Sequence, residues 1–172
     1  MHCAGLPLFP IVSVTAITLE NSTTGTFVFY DGFSQNLRCT SSPSRPVSTV
    51  RWMLETQTGT VQLTDNITNT DVTDVDGLYV RTSEITLILK KENRNQKISC
   101  SGNIDGQQIA AVSSKVIIDV WYHPTKPEVQ VYGVYFPWLE NENGTLKCVS
   151  SDYGNPTSNV NWISNRGITD AN

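Results

Sequence analysis

The sequence has few charged residues, and they form no cluster of one sign. Charged residues make up 16% of the 172, with 12 lysine and arginine against 16 aspartate and glutamate, a net charge of −4. Proteins that bind nucleic acid or anionic lipid usually present a basic patch, because phosphate attracts lysine and arginine. We therefore expect no nucleic-acid partner and no attraction to anionic lipid.

The sequence also lacks a long apolar segment. No apolar run reaches the roughly 18 residues that a membrane-spanning helix requires, so we expect no membrane span within this chain. Residues 1–16 are a candidate signal peptide, because residues 6–14 are mostly apolar and residues 14–16 offer the small side chains that a signal peptidase recognises. Such a signal would be atypical, since no lysine or arginine precedes the apolar stretch and Pro7 and Pro10 interrupt it.

Close cysteine pairs, the usual mark of a zinc site, are missing. The four cysteines, Cys3, Cys39, Cys100 and Cys148, are far apart, and neither histidine lies beside a Cys-x-x-Cys pair. Because zinc ligands usually come in close pairs, we expect no metal at these residues.

Residues 71–77 contain three aspartates and a glycine, which invites comparison with a calcium-binding loop. An EF-hand loop needs an oxygen ligand at its first position and a glutamate six residues after its glycine. Val72 and Ser83 occupy those positions here. We interpret the segment as an acidic turn between strands.

Catalytic groups are equally scarce. His2 lies in the candidate signal peptide and His123 in a proline-rich segment, so no serine or cysteine has a histidine base within a domain. No glycine-rich phosphate loop precedes a helix. We therefore expect that the protein is not an enzyme and that it uses no cofactor.

The sequence does contain short segments in which apolar residues alternate with polar ones, separated by glycine, asparagine and aspartate. This alternation is typical of β-strands and predicts an all-β sandwich or barrel. Phe27 and Phe29 should fill the core, with Tyr30 partly exposed. The clearest alternating sets are Ile85, Leu87 and Leu89, and Val116, Ile118 and Val120.

One pattern occurs twice: leucine, a basic residue and cysteine, followed 13 or 14 positions later by tryptophan. The first copy holds Cys39 and Trp52, and the second holds Cys148 and Trp162. The copies lie about 110 residues apart, which is the size of one immunoglobulin-type sandwich. No cysteine follows the second copy before Asn172, so we expect one complete domain and the N-terminal part of another.

The prolines suggest where the domains meet. Proline cannot donate a hydrogen bond to a β-sheet, so pairing should stop at Pro124 and Pro127. We expect a first domain at residues 17–123, a short stiff linker at 124–127, and a second domain at 128–172 that contributes only its strands A to C.

Several segments resemble extracellular immunoglobulin domains of the nephrin, Kirre and nectin-like adhesion receptors. Residues 83–93 and 97–100 are similar to the segment between strands E and F of those domains. Residues 116–124 resemble their G strand running into an aromatic–proline linker. Residues 154–156, Gly-Asn-Pro, resemble the turn before their core tryptophan. The resemblance covers nearly all of residues 17–172.

The resemblance implies an immunoglobulin-like antiparallel β-sandwich with a disulfide between Cys39 and Cys100. Trp52 and Trp162 would be the core tryptophans of the two domains. Cys148 would be the unpaired cysteine of the partial second domain, which should not be stable alone because three of its strands leave one sheet uncovered.

A disulfide implies an oxidising compartment, whereas a reduced pair would fit an intracellular, muscle-type domain. The sequence departs from the family at Ile98, where most members carry a tyrosine two residues before the second cysteine. This argues against the variable antigen-receptor type and leaves the constant-like or intermediate types.

The resemblance also implies a function. We expect a cell-surface recognition or adhesion module, extracellular and belonging to a single-pass membrane protein, which binds a like or unlike protein ectodomain through a sheet face or edge. The alternatives are a structural repeat protein of the matrix or sarcomere and a secreted immune-type binding protein.

Three Asn-x-Ser/Thr sequons could carry N-linked glycans in an extracellular protein. Of these, Asn66 is the favoured acceptor because it falls in a predicted loop. The sequons are at Asn21, Asn66 and Asn143.

Overall fold

The computed structural model describes residues 10–20, 25–105, 110–132 and 145–163. The chain divides into two compact units, Met1–Val120 and Trp121–Asn172. Each unit is described by itself below.

The regular secondary structure among the described residues of the first unit is all β-strand, apart from one 3₁₀ turn at Lys91–Asn93. This arrangement confirms the predicted all-β class. The strands are β1 (Ile17–Leu19), β2 (Thr26–Tyr30), β3 (Ser34–Ser41), β4 (Thr49–Thr56), β5 (Gly59–Leu63), β6 (Ile67–Thr73), β7 (Tyr79–Ile88), β8 (Lys97–Asn103), β9 (Ala111–Val112) and β10 (Val116–Trp121).

The strands form two sheets with the connectivity of an immunoglobulin sandwich. One sheet has the order β1-β3-β7-β6, and the other has the order β2-β10-β8-β4-β5 with β9 paired to β8. In immunoglobulin lettering these orders are A-B-E-D and A′-G-F-C-C′. A variable domain adds two strands after C, but here only β5 joins that sheet before β6 joins the other. This arrangement agrees with the expected exclusion of the variable type.

The core lies between the sheets and is built from alternate residues of the strands. Ile85, Ile98 and Ile118 are fully buried, as is Phe29. Tyr30, the next residue, is 51% exposed, so the predicted orientation of this aromatic pair is confirmed.

Cys39 and Cys100 form the expected disulfide between the two sheets, with Cα atoms 6.6 Å apart. Trp52 is fully buried and lies directly opposite Cys100 in the β4–β8 register. Ser83 lies opposite Cys39 in the β3–β7 register, and its Oγ accepts a hydrogen bond from Trp52 Nε1 at 3.1 Å. The two sheets are therefore joined by a disulfide and, at the neighbouring position, by a buried hydrogen bond.

The described part of the candidate signal peptide contacts the first unit. Val12 and Arg45 exchange two backbone hydrogen bonds of 2.8 and 2.9 Å, and Val14 is buried. The carbonyl of Ala16 accepts a hydrogen bond from Ser42 N at 2.8 Å. Whether residues 1–16 are a signal peptide stays a prediction.

The second unit contains the antiparallel strands β11 (Glu128–Tyr132) and β12 (Thr145–Val149). Cys148, on the expected second strand, pairs in register with Val129 and forms no disulfide. Whether Trp162 is the core tryptophan of a second domain stays a prediction; among the described residues it is 55% exposed and lies in no strand. The reason is physical: Trp52 is covered because β4 pairs with β8, and the described residues of the second unit include no counterpart of β8.

We predict that Ser83→Ala destabilises the first unit by about 1–3 kcal/mol, because it leaves the buried Trp52 N–H without its acceptor. Chemical denaturation of the oxidised protein measures this free energy of unfolding. Ser101→Ala, a serine on the outer side of β8, is the matched control and should change it by less than about 0.5 kcal/mol. Equal effects of the two substitutions would contradict the role assigned to Ser83.

Candidate functional site

The β2-β10-β8-β4-β5 sheet presents a continuous side-chain surface away from the core. Because Trp52, Ile98 and Val116 point inward, their neighbours along each strand point outward. We call this surface the outer face. Its members on the three central strands include Arg51, Met53, Glu55, Lys97, Ser99, Ser101, Ile117 and Asp119, and Lys115 lies just before β10.

A carboxylate shared by two lysines lies on the outer face, close to the start of β8. Lys115 Nζ contacts Glu55 Oε2, and Lys97 Nζ lies 3.9 Å from Glu55 Oε1. The hydrogen bond from Lys115, followed by its charge, lowers the pKa of Glu55 below its ordinary value. Glu55 therefore stays ionised at neutral pH, and the two ammonium groups outnumber it.

A bulge brings Lys115 to the outer face. Val112 pairs with Ser101 and Val116 pairs with Ile98, so one extra residue is present between these pairs on the β9–β10 side. Ser113 fills the gap in the ladder: its Oγ accepts a hydrogen bond from Cys100 N at 3.0 Å. The bulge therefore satisfies the backbone beside the disulfide.

Arg51 adds a further positive charge to the outer face, and Ile117 adds an exposed apolar side chain. Arg51 is half-buried, lies opposite Ser101 on the neighbouring strand, and forms no ion pair with any described residue. Ile117 is 41% exposed. The outer face thus combines an exposed apolar side chain with three cations, the carboxylate of Glu55, and the carboxylate of Asp119, which pairs with Arg94.

A polar cleft of about 410 Å³ opens at one end of the outer face. Arg94, on its rim, pairs with Asp119 at 3.1 Å. No histidine lines the cleft, and across the described ranges no three histidine, cysteine or acidic side chains gather as metal ligands would. Its lining includes Glu55, Gln57, Glu92, Arg94, Gln96 and Lys97.

The outward side of the other sheet has a different composition. Arg38 lies between two carboxylates there, hydrogen-bonded to Glu84 and 3.9 Å from Glu20. Asn66 is exposed just before β6, and its carbonyl accepts a hydrogen bond from Thr86 N at 3.0 Å. A row of threonines crosses all four strands at Thr18, Thr40, Thr82 and Thr70.

Within the acidic segment at residues 71–77, residues 74–77 form the predicted turn, whereas residues 71–73 are the end of β6. Asp74 Oδ1 accepts hydrogen bonds from the backbone N–H groups of Asp76 and Leu78, at 2.9 and 2.8 Å. Arg45 Nη2 donates to the carbonyls of Asp76 and Gly77 at 2.6 and 2.7 Å. A cation would bind such carbonyl oxygens, but the Arg45 guanidinium already does so.

An ion pair bridges β6 and β7 close to this turn. Arg81 donates to both carboxylate oxygens of Asp71, with N···O distances of 2.7 and 2.8 Å. This hydrogen bonding lowers the pKa of Asp71 below its ordinary value. Asp71 therefore stabilises the fold when ionised, and that contribution disappears on protonation.

We predict that Asp71→Ala reduces stability at pH 7, and that its difference from the native protein shrinks as the pH falls. The folded pKa of Asp71 is depressed, so its contribution is complete above the unfolded pKa of about 3.9 and is lost as the pH falls through the folded pKa. Denaturation between pH 7 and pH 2 measures the free energy of unfolding. Asp65→Ala, in an exposed turn, is the control, and a difference between Asp71→Ala and native that is independent of pH would contradict the assignment.

In the second unit, backbone hydrogen bonds join residues at and just before the expected linker to residues 152–155. Tyr122 and Asn155 exchange two backbone hydrogen bonds, of 2.9 and 3.0 Å, and Thr125 N donates to the carbonyl of Asp152 at 3.0 Å. Gly154 has a φ of +80°, and a Cβ there would lie 2.8 Å from the Tyr122 oxygen. Gly154 and Asn155 of the Gly-Asn-Pro turn thus contact the N-terminal segment of this unit at Tyr122.

The remaining site residues of the sequence analysis fall in three groups. Cys39, Cys100 and Trp52 meet in the core of the first unit. Asn66 is exposed, as a glycan acceptor must be. Asn21 and Asn143 lie outside the described residues.

Comparison with known proteins defines the family. Residues 15–108 match the model of the CD80-like C2-set immunoglobulin domain, which is more than half of the chain. The chain therefore belongs to the CD80-like C2-set immunoglobulin domain family. This family is generally non-enzymatic and of extracellular type. No curated protein is similar enough in sequence to match the chain.

Two solved structures of immunoglobulin ectodomains share the fold. Domains D1–D2 of Rst align with a TM-score of 0.54 and 23% identity, covering 64% of this chain and 50% of that one. The full ectodomain (Ig1–Ig3) of mouse nectin-like molecule 4 aligns with a TM-score of 0.55 and 16% identity, covering 87% of this chain and 46% of that one. The chain thus spans about half the length of both, and these likenesses show the immunoglobulin fold.

No helix among the described residues is both long and apolar enough to cross a membrane.

Proposed function

We propose that the protein is a recognition module of a cell-surface immunoglobulin-superfamily receptor, which binds another protein ectodomain through the outer face. The observation that carries this proposal is the outer face itself, an exposed sheet surface with an apolar residue beside fixed charges. Ile117 is 41% exposed in the middle of an ordered sheet, next to Lys97 in register. Aromatic and apolar anchors within a charged surround are typical of protein interfaces.

The choice of face is supported by the glycan acceptor that we propose at Asn66. Asn66 continues the β6–β7 pairing, so a glycan attached there would stand at the edge of the β1-β3-β7-β6 sheet. It would crowd the approach to that sheet and leave the outer face open. Glycans at Asn21 and Asn143 are part of the same proposal.

The wider organisation follows from the same reasoning. We propose that residues 17–123 and 128–172 belong to successive immunoglobulin domains of an ectodomain that a single span anchors in the membrane. The disulfide between Cys39 and Cys100 supports an extracellular location, because such bonds persist in oxidising compartments. Cys148 would then bond to a cysteine of further strands, as Cys39 does in the first unit.

We predict that beads coated with the complete ectodomain either cluster or bind cells that display its partner, since arrayed copies gain from effective concentration. Ile117→Asp should abolish this binding. Ile88→Asp is the matched control, because Ile88 is an exposed isoleucine of the other sheet, and it should leave binding unchanged. Both variants are first checked for the Cys39–Cys100 bond and for native thermal unfolding.

Two results would contradict the proposal. Equal loss of binding in the Ile117 and Ile88 variants would show that the outer face is not the interface. Bivalent ectodomain that binds no cell-surface protein and deposits in extracellular matrix would favour a structural repeat protein instead.

A further inference from the structure

We propose that the outer face recognises an acidic surface on a different protein, so that the module pairs with an unlike ectodomain rather than with a second copy of itself. This inference rests on the proposed function and names the chemistry of the partner.

The charge of the outer face differs in sign from that of the chain. Arg51, Lys97 and Lys115 carry three positive charges there against the carboxylate of Glu55, and the charge of Asp119 is balanced by Arg94, which leaves two positive charges in excess. The chain as a whole carries a net charge of −4. Asp119, on the neighbouring outward position of β10, is already paired with Arg94 of the adjacent loop.

The geometry keeps these positive charges in place. Lys97 and Arg51 belong to neighbouring strands in an uninterrupted register, which holds their backbones fixed relative to each other. Lys115 is fixed by its contact with Glu55 and by the bulge at Ser113. A partner therefore meets a defined arrangement of cations.

A second copy of the chain is a poor occupant of this face. A twofold contact sets the same patch against itself, so the two excess cations of one copy would face the same two of the other. In each copy Glu55 already contacts its own lysines and Asp119 is already paired with Arg94. The contact would bring four excess positive charges together, and like charges across an interface disfavour association.

An acidic ectodomain meets none of these difficulties. Its carboxylates would neutralise the two excess cations, while Ile117 and Met53 supply apolar contact between them. Complementary charge acts mainly on the association rate and on the choice of partner, and it weakens with ionic strength. Arg51 is half-buried and unpaired among the described residues, so we expect it to contribute most.

The test measures binding of the complete bivalent ectodomain to a panel of purified immunoglobulin-superfamily ectodomains of known charge, which includes the ectodomain itself. A double variant, Arg51→Glu with Lys97→Glu, reverses the outer face. Its control is Lys126→Glu with Lys147→Glu, which makes the same change in net charge at exposed residues of the second unit. Association and dissociation rates are recorded at about 0.05 and 0.5 M salt, which changes the screening length several-fold.

The expected result is binding to an acidic ectodomain, with an association rate that falls at least about tenfold in the outer-face variant and at high salt, and much less in the control. Binding to a partner that is insensitive to the outer-face variant, or equally sensitive to both double variants, would overturn the inference and leave the proposed function standing. Exclusive binding to the ectodomain itself, or to a heparin-coated surface, would also overturn it. Failure to bind any ectodomain would overturn the proposed function as well.

Discussion

The structure depends on the pair of links that joins its two sheets at one level, the Cys39–Cys100 bond and the hydrogen bond from Trp52 to Ser83. A bond between cysteines 61 positions apart stabilises by roughly 4 kcal/mol through the loop that it closes in the unfolded chain. The hydrogen bond lets the indole N–H lie in the core without the cost of an unsatisfied donor. Together they fix which face of each sheet is inside.

Once the inside is fixed, the composition of the outside follows by alternation. With Cys100 and Trp52 inward, Lys97 and Arg51 must point outward, and the outer face is the result. The bulge at Ser113 extends this arrangement to β10 by satisfying Cys100 N and directing Lys115 toward Glu55. The surface proposed to bind a partner is thus set by the same register that holds the disulfide.

The sequence was sufficient for the elements that depend on local pattern and on a repeat. Alternating apolar residues located the strands, and Cys39, Cys100 and Trp52 were correctly placed in the core. The sequence could not reveal that Ser83 accepts a hydrogen bond from the Trp52 indole, or that Arg45 donates to the carbonyls of the acidic turn. In both cases the partner lies about 31 positions away in the chain and is brought near by the fold. Glu55 and Lys115 are likewise 60 positions apart, and their pairing depends on a bulge that no local pattern indicates. The role of Trp162 as a core tryptophan stays a prediction, because a core position needs covering strands as well as the sequence context that Trp162 shares with Trp52.

Mass mapping of the non-reduced protein tests the central claim most directly, because the sandwich and its outer face both require the two sheets to be joined by the Cys39–Cys100 bond. Proteolysis after blocking of free thiols should release a peptide pair linked through Cys39 and Cys100, which separates on reduction. Recovery of Cys39 and Cys100 as blocked free thiols, or bonded to other cysteines, would contradict the account of the fold and of the face that depends on it.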